Sequence, residues 1–276
     1  MLLITGRKGQ LGTILAAKIR DAIATDIEEL DITDPSAVTN FVKDNNIDAI
    51  INCAAYTDVE KAEDEPQIAH RVNVLGPRYL AATGTKIIHL STDYVFDGRK
   101  NTPYLPHDTP HPLNSYAKTK LEGEQEILKN PLGVVLRSSW LYSPYGRNFV
   151  KTMLNLGTSK HEISVINDQV GTPTCAYDLA DAIVAILPQI TKETAGIYHY
   201  SNLGQCSWHD FAATIMKLAK LNCKVNPIST KDYPTKATRP SYSVLDKTSI
   251  QQAFNLKIPT WQESLAKWLP QIQKQS

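Results

Sequence analysis

The strongest constraint on this chain lies in its first twelve residues. The apolar run Leu2-Leu3-Ile4-Thr5 meets the loop Gly6-Arg7-Lys8-Gly9-Gln10-Leu11-Gly12. Leu11, Ile14, Leu15 and Ile19 follow at helical spacing. A buried strand that turns through G-x-x-G-x-x-G into a helix is the opening of a dinucleotide-binding unit. Glycine lets the backbone turn tightly and approach a pyrophosphate. The helix behind it offers unpaired N–H groups and a partial positive charge. A glycine triplet elsewhere in a chain would carry little; its place between strand and helix gives it weight.

The first half keeps this rhythm. Residues 22–26, 48–53, 86–91 and 133–137 read as strands, and 35–43 and 64–83 as helices. Asp34 is a cap for the first of these helices, with Pro35 at its opening position. A proline-rich loop, 99–113, leads to a helix capped by Asn114 or Ser115. The alternation predicts an α/β fold, a doubly wound parallel sheet of Rossmann-like kind covered on both faces. After Trp140 the pattern changes to helices near 149–156, 177–187, 207–221, 247–254 and 261–269, with short strands at 162–166, 196–200 and 224–228. The expected organisation is a dinucleotide-binding domain of 1–148 and 174–200. A smaller, interwoven C-terminal substrate lobe takes 149–173 and 201–276.

Composition narrows the class. With 276 residues, 42% hydrophobic and 21% charged, the chain is globular. A net charge of +1 gives no global field for nucleic acid or an acidic membrane, so neither is an expected partner. No run approaches the roughly 20 apolar residues of a membrane span. Cys53, Cys175, Cys206 and Cys223 form no Cys-x-x-Cys pair, so packed thiols are expected rather than zinc. Nothing reads as a signal peptide, and a cytoplasmic setting is expected.

Tyr116 and Lys120 stand four residues apart, on one face of the helix after the proline-rich loop. An ammonium beside a phenol favours the ionised phenol, which makes Tyr116 a proton donor to a carbonyl under reduction. Thr92, at the end of the strand Lys86–Ser91, offers a hydroxyl to the same oxygen. A strand-end threonine bonded to backbone and a surface Tyr–Lys pair are both common; the order of loop, hydroxyl and pair argues against them here. Asp93 either orients a sugar hydroxyl or caps a turn. Asp26, twenty residues beyond Gly6, can accept from the adenosine ribose and favours a cofactor without a 2′-phosphate. Arg7 and Lys8 argue for that phosphate, so NADPH and NADH both stand. The small residues of Asn52-Cys53-Ala54-Ala55-Tyr56 end a strand at the same edge.

Together these segments resemble the extended short-chain dehydrogenase/reductases, in which a Ser/Thr, a Tyr and a Lys form the catalytic group. Asn73 is similar to a helix asparagine associated with it. Within the superfamily the chain resembles the dTDP-4-dehydrorhamnose reductase family over nearly its whole length. The similarity rests on Ser91–Phe96, Arg137–Tyr142, Asn148-Phe149, Val165–Thr174, Pro234–Pro240 and Pro259–Gln262. The resemblance implies reduction of a dTDP-linked 4-keto sugar, with Thr92, Tyr116 and Lys120 catalytic. Gly6, Gly9, Gln10, Leu11, Gly12, Asp26, Asp31, Ile32, Ala54, Ala55 and Tyr56 would hold the cofactor, together with Tyr116 and Lys120. Thr92, Asp93, Trp140, Asn148 and Arg239 would hold the substrate; arginine suits its diphosphate. Some family members bind magnesium at a dimer interface through glutamates. Thr13-Ile14-Leu15 has no acid there, so no metal is expected, and a monomer or homodimer stands open. Tyr242 replaces a common asparagine. Another nucleotide-linked keto sugar, or a non-catalytic nucleotide-binding subunit, are the alternatives.

Overall fold

The computed structural model describes residues 1–275. Six strands pair in parallel: β1 (Leu2–Thr5), β2 (Ile23–Thr25), β3 (Ala49–Asn52), β4 (Lys86–Thr92), β5 (Gly133–Ser138) and a late strand, Gly196–His199. Their spatial order is β2, β1, β3, β4, β5 and then the late strand. The chain leaves β1 to one side and returns on the other. This makes a switch point between β1 and β3, where such sheets take their ligands.

Helices cover both faces. On one side lie α1 (Gln10–Lys18) and, from later in the chain, the helix Ala176–Ile186. They bury Leu11, Ile14, Leu15, Leu179 and Ile183 against Ile4, Ile51 and Ile88. On the other side α2 (Pro35–Asp44) begins at Asp34, whose carboxylate accepts from the N–H groups of Ser36 and Ala37. The segment expected as one helix over 64–83 is broken. It runs as α3 (Pro66–His70), a wide π-turn (Arg71–Leu75) and α4 (Gly76–Ala82). The cause lies in Pro77, which has no N–H to return to the carbonyl four residues back, that of Asn73. Helix α5 (Ser115–Ile127) starts at Asn114, whose side chain accepts from the Ala117 N–H, and so Asn114 rather than Ser115 is the cap. Gly123 of α5 meets the freed Asn73 carbonyl; a methyl group there would sit 2.1 Å from it.

The remaining elements are β6 (Leu141–Tyr142), α6 (Phe149–Ser159), β7 (Glu162–Ile166), β8 (Val170–Gly171), β9 (Thr174–Cys175), α7 (the Ala176–Ile186 helix), β10 (the late strand), β11 (Cys206–Ser207), α8 (Trp208–Ala219), β12 (Lys224–Ile228), α9 (Thr248–Phe254) and α10 (Trp261–Gln273). A second core joins α6, α8 and α10 through Val150, Leu154, Phe211, Ile215 and Leu265. Helix α9 belongs elsewhere: Ile250 and Phe254 pack in the core beside α1 and α7. Ser207 and Thr260 cap α8 and α10 with reciprocal side-chain bonds. Among the described residues no helix is long and apolar enough to cross a membrane.

One ion pair seats α5 on the sheet. Glu124 accepts from Arg137 of β5, Nη2 at 2.7 Å and Nε at 2.9 Å, and from the Ser91 hydroxyl of β4 at 2.5 Å. Both charged side chains are 1% exposed. Removing one partner leaves the other charge buried and uncompensated. Glu124→Ala is therefore expected to lower stability by about 3–5 kcal/mol, read by urea unfolding; a loss within experimental error would contradict this account.

Candidate active site

A cleft of about 1130 Å³ opens along the carboxyl edge of the sheet. The glycine loop forms its floor. Gly6 has φ +70°, and a Cβ on it would lie 2.7 Å from the Ala54 nitrogen. A Cβ on Gly12 would lie 2.1 Å from the Gly6 carbonyl oxygen. Helix α1 begins at Gly9 with no side-chain cap, so its first N–H groups stay free for an anion.

At one end of the cleft sit Asp26, Asp31 and Ile32. The Asp26 carboxylate accepts from the Lys8 N–H at 2.9 Å. The cations of the loop are already engaged: Arg7 meets Glu29 at 2.6 Å and Lys8 meets Glu28 at 2.5 Å. Gln10, Leu11, Ala54 and Ala55 line the middle. Tyr56 does not. Its hydroxyl donates to Glu65 at 2.6 Å, and its backbone is clamped on both sides by the Asn73 carboxamide. Asn73 also donates to Thr119 on α5 at 3.1 Å. The asparagine thus ties the loop after β3 to the helix of Tyr116.

Thr92, Asp93, Tyr116 and Lys120 line the same cleft. The sequence leads one to expect an ammonium that lowers the phenol. The structure differs. Lys120 Nζ donates to the Leu90 carbonyl at 2.6 Å and faces His89 Nε2 at 3.3 Å. Burial pushes Tyr116 up to about 12; the Thr92 hydroxyl draws it back, and Asp93 adds to the rise. Burial also pulls Lys120 down to about 8, against the pull of Glu124. Asp93 is 2% exposed; its Oδ2 makes no close hydrogen bond, and the nearby Ser243 hydroxyl draws the carboxyl back down against its burial. Its Oδ1 accepts from Thr92 at 3.2 Å.

The far wall is aromatic. Trp140 holds φ +47°, a conformation that costs a bulky residue on the order of 1–3 kcal/mol. Its ring lies against Trp208, centroids 3.5 Å apart, and over Gly171, where a Cβ would fall 2.6 Å from the indole. The stack on Trp208 and the close approach of Gly171 hold the ring where the strained backbone puts it. Ser138 and Ser139, within the Arg137–Tyr142 segment, also line the cleft, as do Trp208, Arg71 and Arg147, which carried no signal in the sequence. They come from segments far apart in the chain. Asn148 and Arg239 are not among the lining residues. Asn148 caps α6 and donates to the Ser143 carbonyl and to Gln10. Arg239 pairs with Glu60 at 2.6 Å, behind the Tyr94 ring that lines the cleft. Among the described residues no cluster of His, Cys, Asp or Glu could hold a metal ion.

A parallel sheet with a glycine loop at its switch point, and a hydroxyl, a phenol and an ammonium along the same edge, is the framework of a short-chain dehydrogenase/reductase. The family model described as RmlD substrate binding domain matches residues 1–274. The chain is 44% identical to the dTDP-4-dehydrorhamnose reductase of Aggregatibacter actinomycetemcomitans, over 96% of each chain. It therefore belongs to the dTDP-4-dehydrorhamnose reductase family. Two solved structures of that name are similar. The one from Clostridium acetobutylicum has a TM-score of 0.94 at 39% identity, covering 99% of both chains. The one from Bacillus anthracis, solved in complex with NADP, has a TM-score of 0.92 at 38% identity, covering 98% of both.

Burial of Asp93 gives a stability prediction. Its carboxyl rises from 3.8 to about 7. Between those values the folded protein holds a proton that the unfolded chain has lost, so stability falls as pH rises through this window. The cost is absent below the lower value and complete above the upper one. Asp93→Asn is expected to raise the melting temperature by a few degrees near pH 8 and to leave it unchanged near pH 4 (both roughly). Equal gains at both pH values would show that the carboxylate carries no such cost.

Proposed function

We propose that this chain reduces dTDP-4-dehydro-β-L-rhamnose to dTDP-L-rhamnose, the last step of dTDP-L-rhamnose biosynthesis, with NADPH or NADH as reductant. The observation that carries this is a single cleft that joins the glycine loop to Thr92, Tyr116 and Lys120. The loop suits a dinucleotide: its backbone is bare where a pyrophosphate must approach, and the N–H groups at the start of α1 are free. Bound nicotinamide supplies the hydride to the C4 carbonyl.

The residues of the chain do the rest. Tyr116 is a neutral phenol at working pH, since burial holds it near 12, and so it enters the reaction with its proton in place. As charge grows on the C4 oxygen, Tyr116 transfers that proton and Thr92 donates a hydrogen bond. The Lys120 ammonium, one helical turn away, stabilises the phenolate so formed and binds the nicotinamide ribose. Asp93 accepts from a sugar hydroxyl through Oδ2, which makes no close hydrogen bond. Trp140, stacked on Trp208, forms the wall against the sugar ring. Arg239 reaches the diphosphate when its pair with Glu60 opens.

The reading is tested by the fall in NADPH or NADH absorbance with freshly generated dTDP keto sugar. Absence of turnover with both cofactors would overturn it. Tyr116→Phe should cut turnover on the order of 10²–10⁴-fold, the usual worth of a positioned acid, and leave cofactor affinity intact. Wild-type turnover in that variant would remove Tyr116 from the chemistry. Gly12→Ala should weaken NADH binding by about tenfold or more, since its methyl group collides with the Gly6 carbonyl. Unaltered affinity, measured by fluorescence titration, would mean that the loop does not hold the pyrophosphate.

A further inference from the structure

A line of buried polar side chains crosses three strands beneath the catalytic helix. Thr5 ends β1, Asn52 ends β3 and His89 lies in β4; their exposures are 1%, 0% and 0%. Thr5 Oγ1 meets Asn52 Oδ1 at 2.7 Å. Asn52 Nδ2 meets His89 Nδ1 at 2.9 Å, and His89 Nε2 faces Lys120 Nζ at 3.3 Å. Side chains shut away from water must satisfy one another.

The chemistry of each group restricts the arrangement. An ammonium has three donors and no acceptor. The Leu90 carbonyl takes one of them. A second points at His89, whose ring is held neutral by burial and then by the Lys120 charge. A neutral imidazole has one bare nitrogen and one N–H. With Asn52 Nδ2 toward His89, Nδ1 is bare and an Nε2–H faces Lys120, which suits only a neutral amine. With the carboxamide turned by half a rotation, Nδ1–H donates to Asn52 Oδ1, Asn52 Nδ2 donates to Thr5 Oγ1, and Nε2 is bare for an ammonium. Only the second setting fits a charged Lys120. Glu124, one turn further along α5, favours that charge.

We propose that His89 is the positioning residue for Lys120: as the Nδ1–H tautomer it accepts one ammonium proton at Nε2. Leu90 takes the second, and the third is left aimed into the cleft. In the second setting the Asn52 carboxamide serves both of its neighbours. Thr5 Oγ1 accepts from Asn52, and its own hydrogen is free toward the cleft that Thr5 lines. A flexible lysine is thereby fixed by two acceptors from one strand, and its remaining donor has a single direction. This rests on the reductase reading only in giving Lys120 a cofactor to hold.

Two measurements test it. Long-range ¹H–¹⁵N correlation of the histidine rings, on the full-length wild-type protein near neutral pH, reads the tautomer directly; His89→Gln identifies the resonance. Nδ1–H is expected, and Nε2–H or an imidazolium would overturn the proposal. NADH affinity, by fluorescence titration without substrate, reads the positioning. His89→Phe removes the acceptor and should weaken binding by about tenfold, as expected for a hydrogen bond to a charged group. His89→Gln, whose carboxamide oxygen can accept, should stay within about threefold of wild type. Wild-type affinity in the Phe variant, or a Gln variant as weak as Phe, would overturn it. The tautomer decides the matter if the Phe variant does not fold, and failure of turnover alone leaves both readouts standing.

Discussion

Helix α5 is seated on the sheet by charge, and the site depends on that seating. Its buried face carries Thr119, Lys120 and Glu124, each bonded to a residue on a different element: Asn73 at the π-turn, Leu90 on β4 and Arg137 on β5. Hydrophobic packing is non-directional and would let a helix rotate or slide by a fraction of a turn. A bidentate guanidinium–carboxylate pair fixes both angle and register. Position matters here because α5 sets where Tyr116 and Lys120 stand in the cleft that the glycine loop floors. The Asn73 carboxamide joins the two halves, since it holds the loop after β3 at Tyr56 with one set of bonds and α5 with another.

The same burial that fixes these groups retunes them. Tyr116 rises, Lys120 falls and Asp93 rises, and in each case loss of water is the largest cause. Each shift favours the neutral form. A neutral phenol is the correct starting state for a proton donor. The lysine is softened and yet keeps its charge near neutrality, with Glu124 pulling against the loss of water. The simple expectation of an ammonium that acidifies a phenol treats the pair as if in water. In the folded protein the ammonium is aimed at Leu90 and His89, and its effect on tyrosine belongs to the moment when the phenolate forms.

Local signals made much of this legible. The glycine loop, the Asp34, Ser207 and Asn114 caps, and the alternation of strands and helices are each fixed by a few adjacent residues. They locate β1, α1, α2, α5 and α8 to within a residue or two. The break in the 64–83 helix was concealed because Pro77 acts four residues upstream, on a carbonyl that also needs Gly123 beside it. The cleft wall was harder still. Trp140 and Trp208 are separated by 67 intervening residues' worth of α6 and α7 packing, and only tertiary structure brings their rings to 3.5 Å. Tyr56 lies in the loop after β3, where the Asn73 carboxamide holds its backbone and its hydroxyl donates to Glu65, a partner that its own neighbours in the chain do not reveal.

The two sequence-derived substrate residues outside the cleft differ in what they could yield. Every polar atom of the Asn148 carboxamide is spent: its oxygen caps α6 and its nitrogen serves carbonyls and Gln10. Releasing it would unmake a helix start, at a cost of about 1 kcal/mol before any ligand gained from it. Arg239 is held from several sides. Its side chain is 22% exposed, it pairs with a Glu60 oxygen that is shut from water, and it donates to the Ala237 carbonyl. It also touches Tyr94, whose ring lines the cleft. A diphosphate would offer the same guanidinium more acceptor oxygens and a larger charge. Exchange of Glu60 for such a group would strip the carboxylate of its cation, so the pair restrains Arg239 as much as it holds it in reserve.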